Sequence, residues 1–281
     1  MKKNNPFLIS GYKGEAYFCD REKETDKLIN YIKNQVNISF FAYRRLGKTG
    51  LVKHVFQKLS ADKKVICIYV DILGTTELSG FTNLLATSVY NAFPKSNSIG
   101  KKIIKAIQSL RPVITFDEFT GNPSISFDTT NVQQTQSTIE QIFYFLDEQN
   151  IQISLAIDEF QQVLEYPEKN TEAILRTQMQ QLQNIQFIFC GSNPKMMHEI
   201  FNSAKRPFFA SCTPMHLGYI PHEKYKNFIE VNFTQNKRKI EQQAIDFICD
   251  WTMRHTYYTQ YFCNFIYALN FKTIELDTVH E

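Results

Sequence analysis

The sequence predicts an α/β protein, in which a parallel sheet is covered by helices on both faces and an all-helical unit follows. In the first 220 residues, short apolar runs alternate with amphipathic stretches. This alternation is typical of buried parallel strands joined by helices. Beyond Pro221 the apolar runs stop and only helical periodicity continues. We therefore predict two domains, a core of residues 1–220 and a helical lid of residues 221–281.

The individual elements follow from the spacing of the apolar residues. The four predicted strands are ISFFAY (38–43), KVICIYVDI (64–72), QISLAIDEF (152–160) and IQFIFCGSN (185–193). Core helices are predicted over 21–33, 51–59, 79–93, 99–110, 135–150 and 171–183, and lid helices over 221–233, 239–253 and 257–270. Residues 112–128 alternate apolar and polar side chains around a Gly-Asn-Pro turn, which predicts a hairpin or irregular insertion.

Composition and charge exclude several classes of protein. The hydrophobic fraction of 43% and the charged fraction of 21% are ordinary for a soluble domain, and a net charge of +3 does not indicate a nucleic-acid partner. The six cysteines show no metal-clip spacing, which fits a reducing cytoplasm. No apolar stretch approaches the about 18 residues of a membrane span. We expect a soluble cytoplasmic protein with no membrane partner.

A candidate phosphate-binding loop follows the first strand, in the stretch AYRRLGKTGL. Gly47 would let the backbone approach phosphate oxygens, Lys48 would reach the β- and γ-phosphates, and the Thr49 hydroxyl would ligate Mg²⁺. The other residues of the candidate loop are Ala42, Tyr43, Arg44, Arg45, Leu46 and Gly50. Ala42 replaces the usual opening glycine, which matters only if its φ is positive. The alternative is that GKT opens an ordinary helix.

Two acidic residues end the third apolar run. Asp158 and Glu159 follow ISLAI, and carboxylates beside a buried strand are costly without a cation or a hydrogen-bonding role. Paired with a phosphate-binding loop, Asp158 would hold Mg²⁺ through water, and Glu159 would take a proton from the water that attacks the γ-phosphate. The alternative is that both acids begin a solvent-exposed helix.

A polar tip ends the fourth apolar run. Ser192 and Asn193 stand where they could hydrogen-bond the γ-phosphate or the attacking water. Either could equally cap the helix that begins with Pro194, because proline favours the first helical position. The two roles are compatible.

Together these stretches resemble the archaeal-type P-loop ATPases of the AAA+/STAND class, over nearly all of the chain. The matching motifs are YFCDREKETDKL with Phe18, Arg21, Glu22 and Glu24, the double arginine before GKT, LAIDEFQ as Walker B, FIFCGSNPKMMHEIF as the sensor strand, and RHTYYTQ with His255 as the lid motif. The resemblance implies that Phe18 and Arg21 lie beside an adenine pocket. It also implies ATP or ADP with Mg²⁺, a protein partner or effector domain, and self-association.

The chain departs from this family at two places. The family usually has a Gly-Arg pair after the Met-Met helix, whose arginine acts on the γ-phosphate, and here Ala210 and Ser211 take that place. Arg206 could substitute for that arginine only if its loop reached the γ-phosphate along a different path. The lid motif lacks its Gly-His-Pro form, so His255 either touches the β-phosphate or is structural.

These observations favour a Mg²⁺-dependent ATPase whose lid moves with nucleotide state. The alternative is a nucleotide-gated scaffold that binds ATP or ADP with little hydrolysis. A nucleic-acid-binding module and a small-molecule kinase are less favoured, since no basic recognition helix is evident and the adjacent Asp-Glu points away from a kinase. The preference for adenine rests on the resemblance, because the chain lacks a guanine-recognising Asn-Lys-x-Asp element.

Overall fold

A computed structural model describes residues 5–62, 64–93, 98–128 and 131–280. In chain order the strands are β1 Ile38–Phe41, β2 Val65–Asp71, β3 Val113–Phe116, β4 Pro123–Ser126, β5 Gln152–Asp158, β6 Ile185–Gly191, β7 Thr213–His216, β8 Lys239–Ile240 and β9 Thr273–Ile274. The helices are α1 Glu22–Lys33, α2 Lys48–Leu59, α3 Leu78–Ala92, α4 Ser98–Ser109, α5 Val132–Asp147, α6 Thr171–Gln181, α7 Pro194–Asn202, α8 His222–Gln235, α9 Gln242–Trp251, α10 Thr256–Ala268 and α11 Leu276–His280.

Five strands form one parallel sheet in the order β2-β5-β6-β1-β7. The predicted α/β class, with a parallel sheet flanked by helices and a helical C-terminal region, is confirmed. In the sheet, β5 is paired on both sides, with β2 and with β6. All seven residues of β6 are buried, which explains why its sequence is apolar almost throughout.

The sequence analysis missed β7. Its residues Thr213–His216 include Pro214 and form no long apolar run. The strand lies at the edge of the sheet and pairs with β1 alone. A proline is tolerated there because an edge strand has one side without ladder hydrogen bonds.

The insertion between α4 and α5 was predicted to be either a hairpin or irregular, and it is a hairpin. Strands β3 and β4 pair antiparallel, with Val113 opposite Ser126 and Phe116 opposite Pro123. Gly121 has a φ of 67° in the connecting turn, where a side chain would be strained. Ile125 is buried in the core of unit 2 and Ile114 packs against the same core partly buried, so apolar side chains from both strands anchor the hairpin.

The chain packs as two compact units. Unit 1 comprises residues 5–28, Ala42–Gln57 and residues 217–280, and unit 2 comprises Ile29–Phe41 and the described part of Lys58–His216. The core of unit 2 contains the five-stranded sheet and an aromatic cluster of Phe160, Phe187, Phe189, Phe201 and Phe208. The division into domains 1–220 and 221–281 stays a prediction.

The core of unit 1 is built mainly by α8 to α11. Phe7, from the N-terminal segment, packs against Phe233 and Tyr267 of these helices. The C-terminal region is not purely helical, because β8 and β9 form a parallel pair of two residues each. Strands this short carry no periodicity, so the sequence could not reveal them. No helix in the described part of the chain is both long and apolar enough to cross a membrane.

Candidate nucleotide-binding site

The candidate loop, Ala42–Gly47, lies between the end of β1 and the start of α2. Gly47 has a φ of 97° and Arg45 a φ of 63°, so the turn depends on left-handed residues near its end. Ala42 is fully buried and does not have a positive φ. The replacement of the usual glycine therefore introduces no backbone strain at this position.

Helix α2 begins directly after Gly47, whose carbonyl accepts a hydrogen bond of 2.9 Å from the Leu51 N–H. Lys48 and Thr49 are thus the first two residues of the helix. The first N–H groups of a helix have no partner within it, and the helix dipole favours anions there. Lys48 is only 6% exposed, so its charge is held against the protein rather than extended into solvent.

The loop is held from the other side by the start of α10. The Thr256 hydroxyl donates to the Leu46 carbonyl at 3.0 Å, and His255 Nε2 lies 3.2 Å from the Arg44 carbonyl. Because a carbonyl can only accept, Nε2 carries the hydrogen. Arg45 lies between these two contacts, with its guanidinium 4.2 Å from the centre of the Tyr257 ring. Three consecutive loop residues therefore contact three consecutive lid residues.

Burial lowers the pKa of His255 below its ordinary value of 6.5, and the nearby charge of Arg45 acts in the same direction, while the hydrogen bond to the Arg44 carbonyl opposes the shift. The second ring nitrogen, Nδ1, is buried and has no hydrogen-bond partner among the described residues. His255 thus has a structural role, because its ring contacts the backbone of the loop at Arg44. Its predicted contact with a β-phosphate stays a prediction.

A cavity of about 90 Å³ lies beside the loop, within unit 1. Its walls come from the N-terminal segment, the loop with the first turn of α2, and the lid. Lining residues include Tyr12, Tyr17, Phe18, Cys19, Arg21, Leu46, Gly47, Gly50, Ile220, Thr256 and Gln260. The two residues expected beside an adenine pocket, Phe18 and Arg21, both line it.

Phe18 and Arg21 are both fixed by neighbours. The Phe18 ring stacks on His54 of α2 with centroids 4.2 Å apart, and its edge is 3.8 Å from where a side chain at Gly50 would begin. Arg21 is 3% exposed and donates to Glu24 at 3.0 Å and to the Gly218 carbonyl at 2.7 Å. Arg21 therefore shapes the cavity wall, with its guanidinium already engaged by the protein.

The predicted acidic pair belongs to unit 2. Asp158 ends β5 and is 2% exposed. One carboxylate oxygen accepts from the Tyr69 hydroxyl at 2.5 Å, and the other from the Glu159 N–H at 3.0 Å. The acids do not begin a solvent-exposed α-helix, because a short 3-10 helix, Phe160–Glu165, follows them.

Glu159 adopts a left-handed conformation with φ 59° and ψ 40°. Its carboxylate accepts from the Ser192 hydroxyl at 2.6 Å and from Gln161 Nε2 at 2.5 Å. A non-glycine residue in this region is uncommon, and such strain occurs often at functional sites. The backbone turn and the two donors together orient this carboxylate.

At the tip of β6, Asn193 and Ser192 make different contacts. Asn193 caps α7, since its side-chain oxygen accepts from the Met196 N–H at 3.2 Å and Pro194 occupies the first helical position. Ser192 instead donates to Glu159. The capping prediction is confirmed for Asn193, and contact of either residue with a γ-phosphate stays a prediction.

Residues 206–211, which depart from the family pattern, contain one arginine, and its charge is already paired. Arg206 lies 3.1 Å from Glu172 and 3.6 Å from Glu199, so its charge is paired within unit 2. Burial raises the pKa of Glu172, and the charge of Arg206 opposes this shift. Ala210 has a φ of 50°, a conformation that glycine would adopt more readily.

The residues of unit 1 fit a nucleoside phosphate, because a loop that leads into a helix N-terminus suits an anion, and Gln260 of the adjoining cavity wall has a buried amide oxygen without a partner among the described residues. No cluster of three or more His, Cys, Asp or Glu side chains suited to a metal occurs in the described residues. A magnesium ion would therefore need phosphate oxygens and water among its ligands, which is the common arrangement for this ion.

Sequence reasoning missed Tyr12, Tyr69, Thr256 and Gln260. A usable indication existed for the last two. They stand four residues apart on one predicted helix, so they share a face, and both belong to the stretch RHTYYTQ that was already singled out. Tyr12 and Tyr69 had no such pattern.

Comparison with known proteins supports one family. The model of a family described as an ATPase domain predominantly from Archaea matches residues 18–254. An uncharacterized ATP-binding protein of Methanocaldococcus jannaschii is 27% identical to this chain in an alignment of 165 residues. The alignment covers 52% of this chain and 43% of that protein. The aligned region thus spans less than half the length of this relative.

Solved structures share the fold. The Walker-type ATPase of Pyrococcus abyssi superposes with a TM-score of 0.66 at 14% identity, over 94% of this chain and 72% of that one. The ORC2 protein of Aeropyrum pernix, in ADPNP and ADP complexes, superposes with a TM-score of 0.65 at 13% identity, over 99% of this chain and 70% of that one. The RuvB branch migration motor of Thermotoga maritima superposes with a TM-score of 0.54 at 11% identity, over 97% of this chain and 72% of that one.

Proposed function

Because the chain belongs to the family of ATPase domains found predominantly in Archaea, we propose that it binds ATP with Mg²⁺ and hydrolyses it to drive or gate a conformational change. The observation that carries the proposal is the loop Ala42–Gly47. Its left-handed Gly47 turns the chain into α2, with Lys48 as the first helical residue. This geometry presents backbone N–H groups and one ammonium group to an anion.

Each residue of the loop has a proposed role. Gly47 lets the backbone approach the phosphates, and Lys48 binds the β- and γ-phosphates. Thr49 is a proposed Mg²⁺ ligand through its hydroxyl. When bound, the ion would neutralise charge that develops on the phosphate oxygens. Phe18 and Arg21, which line the cavity beside the loop, would form part of the binding surface for the base.

Asp158 and Glu159 have separate proposed roles. The carboxylate of Asp158 would bind Mg²⁺ through water, in an orientation supported by its hydrogen bonds to Tyr69 and to the Glu159 N–H. Glu159 would accept the proton of the attacking water. A general base works best when a third group orients it, and Ser192 and Gln161 supply such contacts to Glu159.

The proposed conformational output passes through the lid. Phosphate binding would shift the backbone of Arg44 to Leu46, and these residues contact His255 to Tyr257 at the start of α10. A ligand that interacts differently with two lid positions shifts the equilibrium between them. We propose that a protein partner, an effector domain or a second copy responds to this shift.

A second candidate is a nucleotide-gated scaffold with little or no hydrolysis. It is favoured by the region 206–211, whose arginine, Arg206, is paired with Glu172 and Glu199. Without an arginine directed at the γ-phosphate, the transition state would lose a large part of its stabilisation. Such a protein would bind ATP or ADP tightly and turn over slowly.

The test compares nucleotide binding and ATP turnover in the wild type, Lys48→Ala and Glu159→Gln. Lys48→Ala should lose both, because the main phosphate cation is gone. Glu159→Gln should still bind ATP and lose turnover by about 100-fold or more, the usual contribution of a general base. Lys101→Ala, which removes an exposed lysine of α4, controls for the loss of a positive charge.

The outcomes separate the two candidates. Equal turnover in the wild type and Glu159→Gln would exclude Glu159 as the base. ADP retained through purification with negligible turnover would favour the scaffold. Failure of the wild type to bind ATP or ADP would overturn both.

A further inference from the structure

Gln260 stands out among the residues that line the cavity of unit 1. The side chain belongs to α10 and is 6% exposed. Its amide oxygen, Oε1, is buried and has no hydrogen-bond partner among the described residues. Buried polar atoms without a partner are rare in folded proteins, because they lose the hydrogen bonds that water would make. The residue lines a cavity, where a rotation of its amide would let a ligand supply the missing donor.

Three other polar side chains of the wall are already engaged. Arg21 donates to Glu24 and to the Gly218 carbonyl. Thr256 donates to the Leu46 carbonyl, and the Tyr12 hydroxyl contacts both His54 and Gln57. Within the described part of this wall, Gln260 is the residue whose buried side chain still has an acceptor to offer.

The position of Gln260 relates it to the phosphate loop. It lies four residues after Thr256 on α10, so both side chains point to one face of the helix. Thr256 contacts the loop at Leu46, and its methyl group is 3.7 Å from where a side chain at Gly47 would begin. The cavity is lined by Gly47 and Gly50 as well. A nucleotide with its phosphates on the loop would therefore place its base in this cavity, against Gln260.

We infer that the Gln260 amide recognises this base as adenine. Oε1 would accept a hydrogen bond from the exocyclic N6 amino group, and Nε2 would donate to the adjacent ring nitrogen N7. A glutamine amide pairs with adenine in this bidentate way because both present one donor beside one acceptor. This inference rests on the proposed function and adds to it the residue that selects the base.

Guanine does not match the same amide as well. Its N7 and O6 edge presents two acceptors, so the amide oxygen would face an acceptor and stay unpaired. Hypoxanthine, which replaces the amino group of adenine by a carbonyl, has the same two acceptors on that edge. A site built to hydrogen-bond an amino group rejects analogues that lack it, because its own buried polar atom stays unpaired.

The experiment is calorimetric titration of the full chain with ADP, GDP and inosine diphosphate. The wild type should bind ADP about tenfold or more tightly than either of the other two, the usual size of such a bidentate preference. Gln260→Met keeps the length and apolar stem of the side chain but removes both polar atoms. In this variant, ADP affinity should fall about tenfold, and the ratio of ADP to inosine diphosphate affinity should approach one.

Gln243→Met is the matched control, because Gln243 is an exposed residue of α9. It should keep the wild-type affinities and the wild-type ratio. Circular dichroism of both variants verifies that they fold. If Gln260→Met does not fold, the wild-type affinities alone still test the inference. Equal wild-type affinity for ADP and inosine diphosphate would overturn it.

The outcomes separate this inference from the function on which it rests. If Gln260→Met binds ADP and keeps the wild-type preference, another group selects the base and the inference is wrong, while nucleotide binding stands. If the wild type prefers GDP, the assignment of adenine is wrong. If the wild type binds none of the three diphosphates, the proposed function itself fails.

Discussion

Single residues at the strand ends decide whether the candidate site can form, and Gly191 shows the tightest requirement. It is the last residue of β6, directly before Ser192. A Cβ atom at this position would lie 2.3 Å from Met197 Sδ, 2.4 Å from Met197 Cγ and 2.7 Å from Gln161 Oε1. Even one methyl group would displace Gln161, which orients Glu159.

We therefore expect Gly191→Ala to lower the free energy of unfolding by about 1–3 kcal/mol, the usual cost of overpacking. Chemical denaturation measures this change. Gly74→Ala is the matched control, because a Cβ atom at Gly74 meets nothing within 4 Å. If Gly191→Ala unfolds at the same denaturant concentration as the wild type, the close approach does not constrain this position.

At the same scale, the sequence predicted local backbone geometry better than contacts between distant residues. The spacing of Gly47, Lys48 and Thr49 indicated a loop that leads into a helix N-terminus, and the structure has that arrangement. The partners of Glu159 could not be predicted, because Ser192 is 33 residues away and is brought to it by the pairing of β5 with β6. Pairing between strands depends on the whole sheet.

At the scale of elements, the N-terminus of α10 connects the lid with the phosphate loop. His255 precedes the helix, and its neutral ring, with the hydrogen on Nε2, suits the contact with the Arg44 carbonyl. Burial lowers the pKa of His255 relative to its ordinary value of 6.5. The unfolded chain therefore binds a proton more readily than the folded protein, and stability rises with pH in this range.

The resulting prediction concerns acid stability. The contribution of His255 should be complete above its unfolded pKa of 6.5 and should be lost as pH falls through its lower folded pKa. Between about pH 7.5 and about pH 5.5, the wild type should lose more stability than His255→Gln does. Chemical denaturation at both pH values measures this difference. His198→Gln, an exposed histidine of α7, controls for the removal of a histidine, and an unchanged pH dependence in His255→Gln would contradict the prediction.

Elements with many apolar residues were predicted best. Strands β2, β5 and β6 have seven residues each, and β5 and β6 are buried almost throughout, so their sequences carry a clear apolar pattern. Strands β7, β8 and β9 have four residues or fewer, and β7 contains a proline. Pairing partners rather than local preference create such short strands.

At the scale of the whole molecule, nucleotide binding should appear as stability. A ligand that binds only the folded state at about 100 times its Kd raises the free energy of unfolding by about 2.7 kcal/mol. At about 2–4 °C per kcal/mol for a large domain, saturating ADP should raise Tm by about 5–10 °C. Differential scanning fluorimetry measures the shift.

Lys48→Ala supplies the control for this prediction. The variant lacks the proposed phosphate ligand, so ADP should leave its Tm nearly unchanged. A Tm of the wild type that does not respond to ADP would contradict nucleotide binding, whereas an equal shift in both proteins would place the nucleotide away from Lys48.

The sequence alone determined the α/β class, the four strands β1, β2, β5 and β6, and the loop that leads into Lys48 and Thr49, because each depends on residues close together in the chain. Apolar runs, helical spacing and a glycine before a helix are local patterns. Only the tertiary structure decided that Pro214 lies in an edge strand, that Ser192 orients Glu159 and that Gln260 faces a cavity beside Gly47. These features join residues that are distant in the chain, and packing of the whole units brings them together.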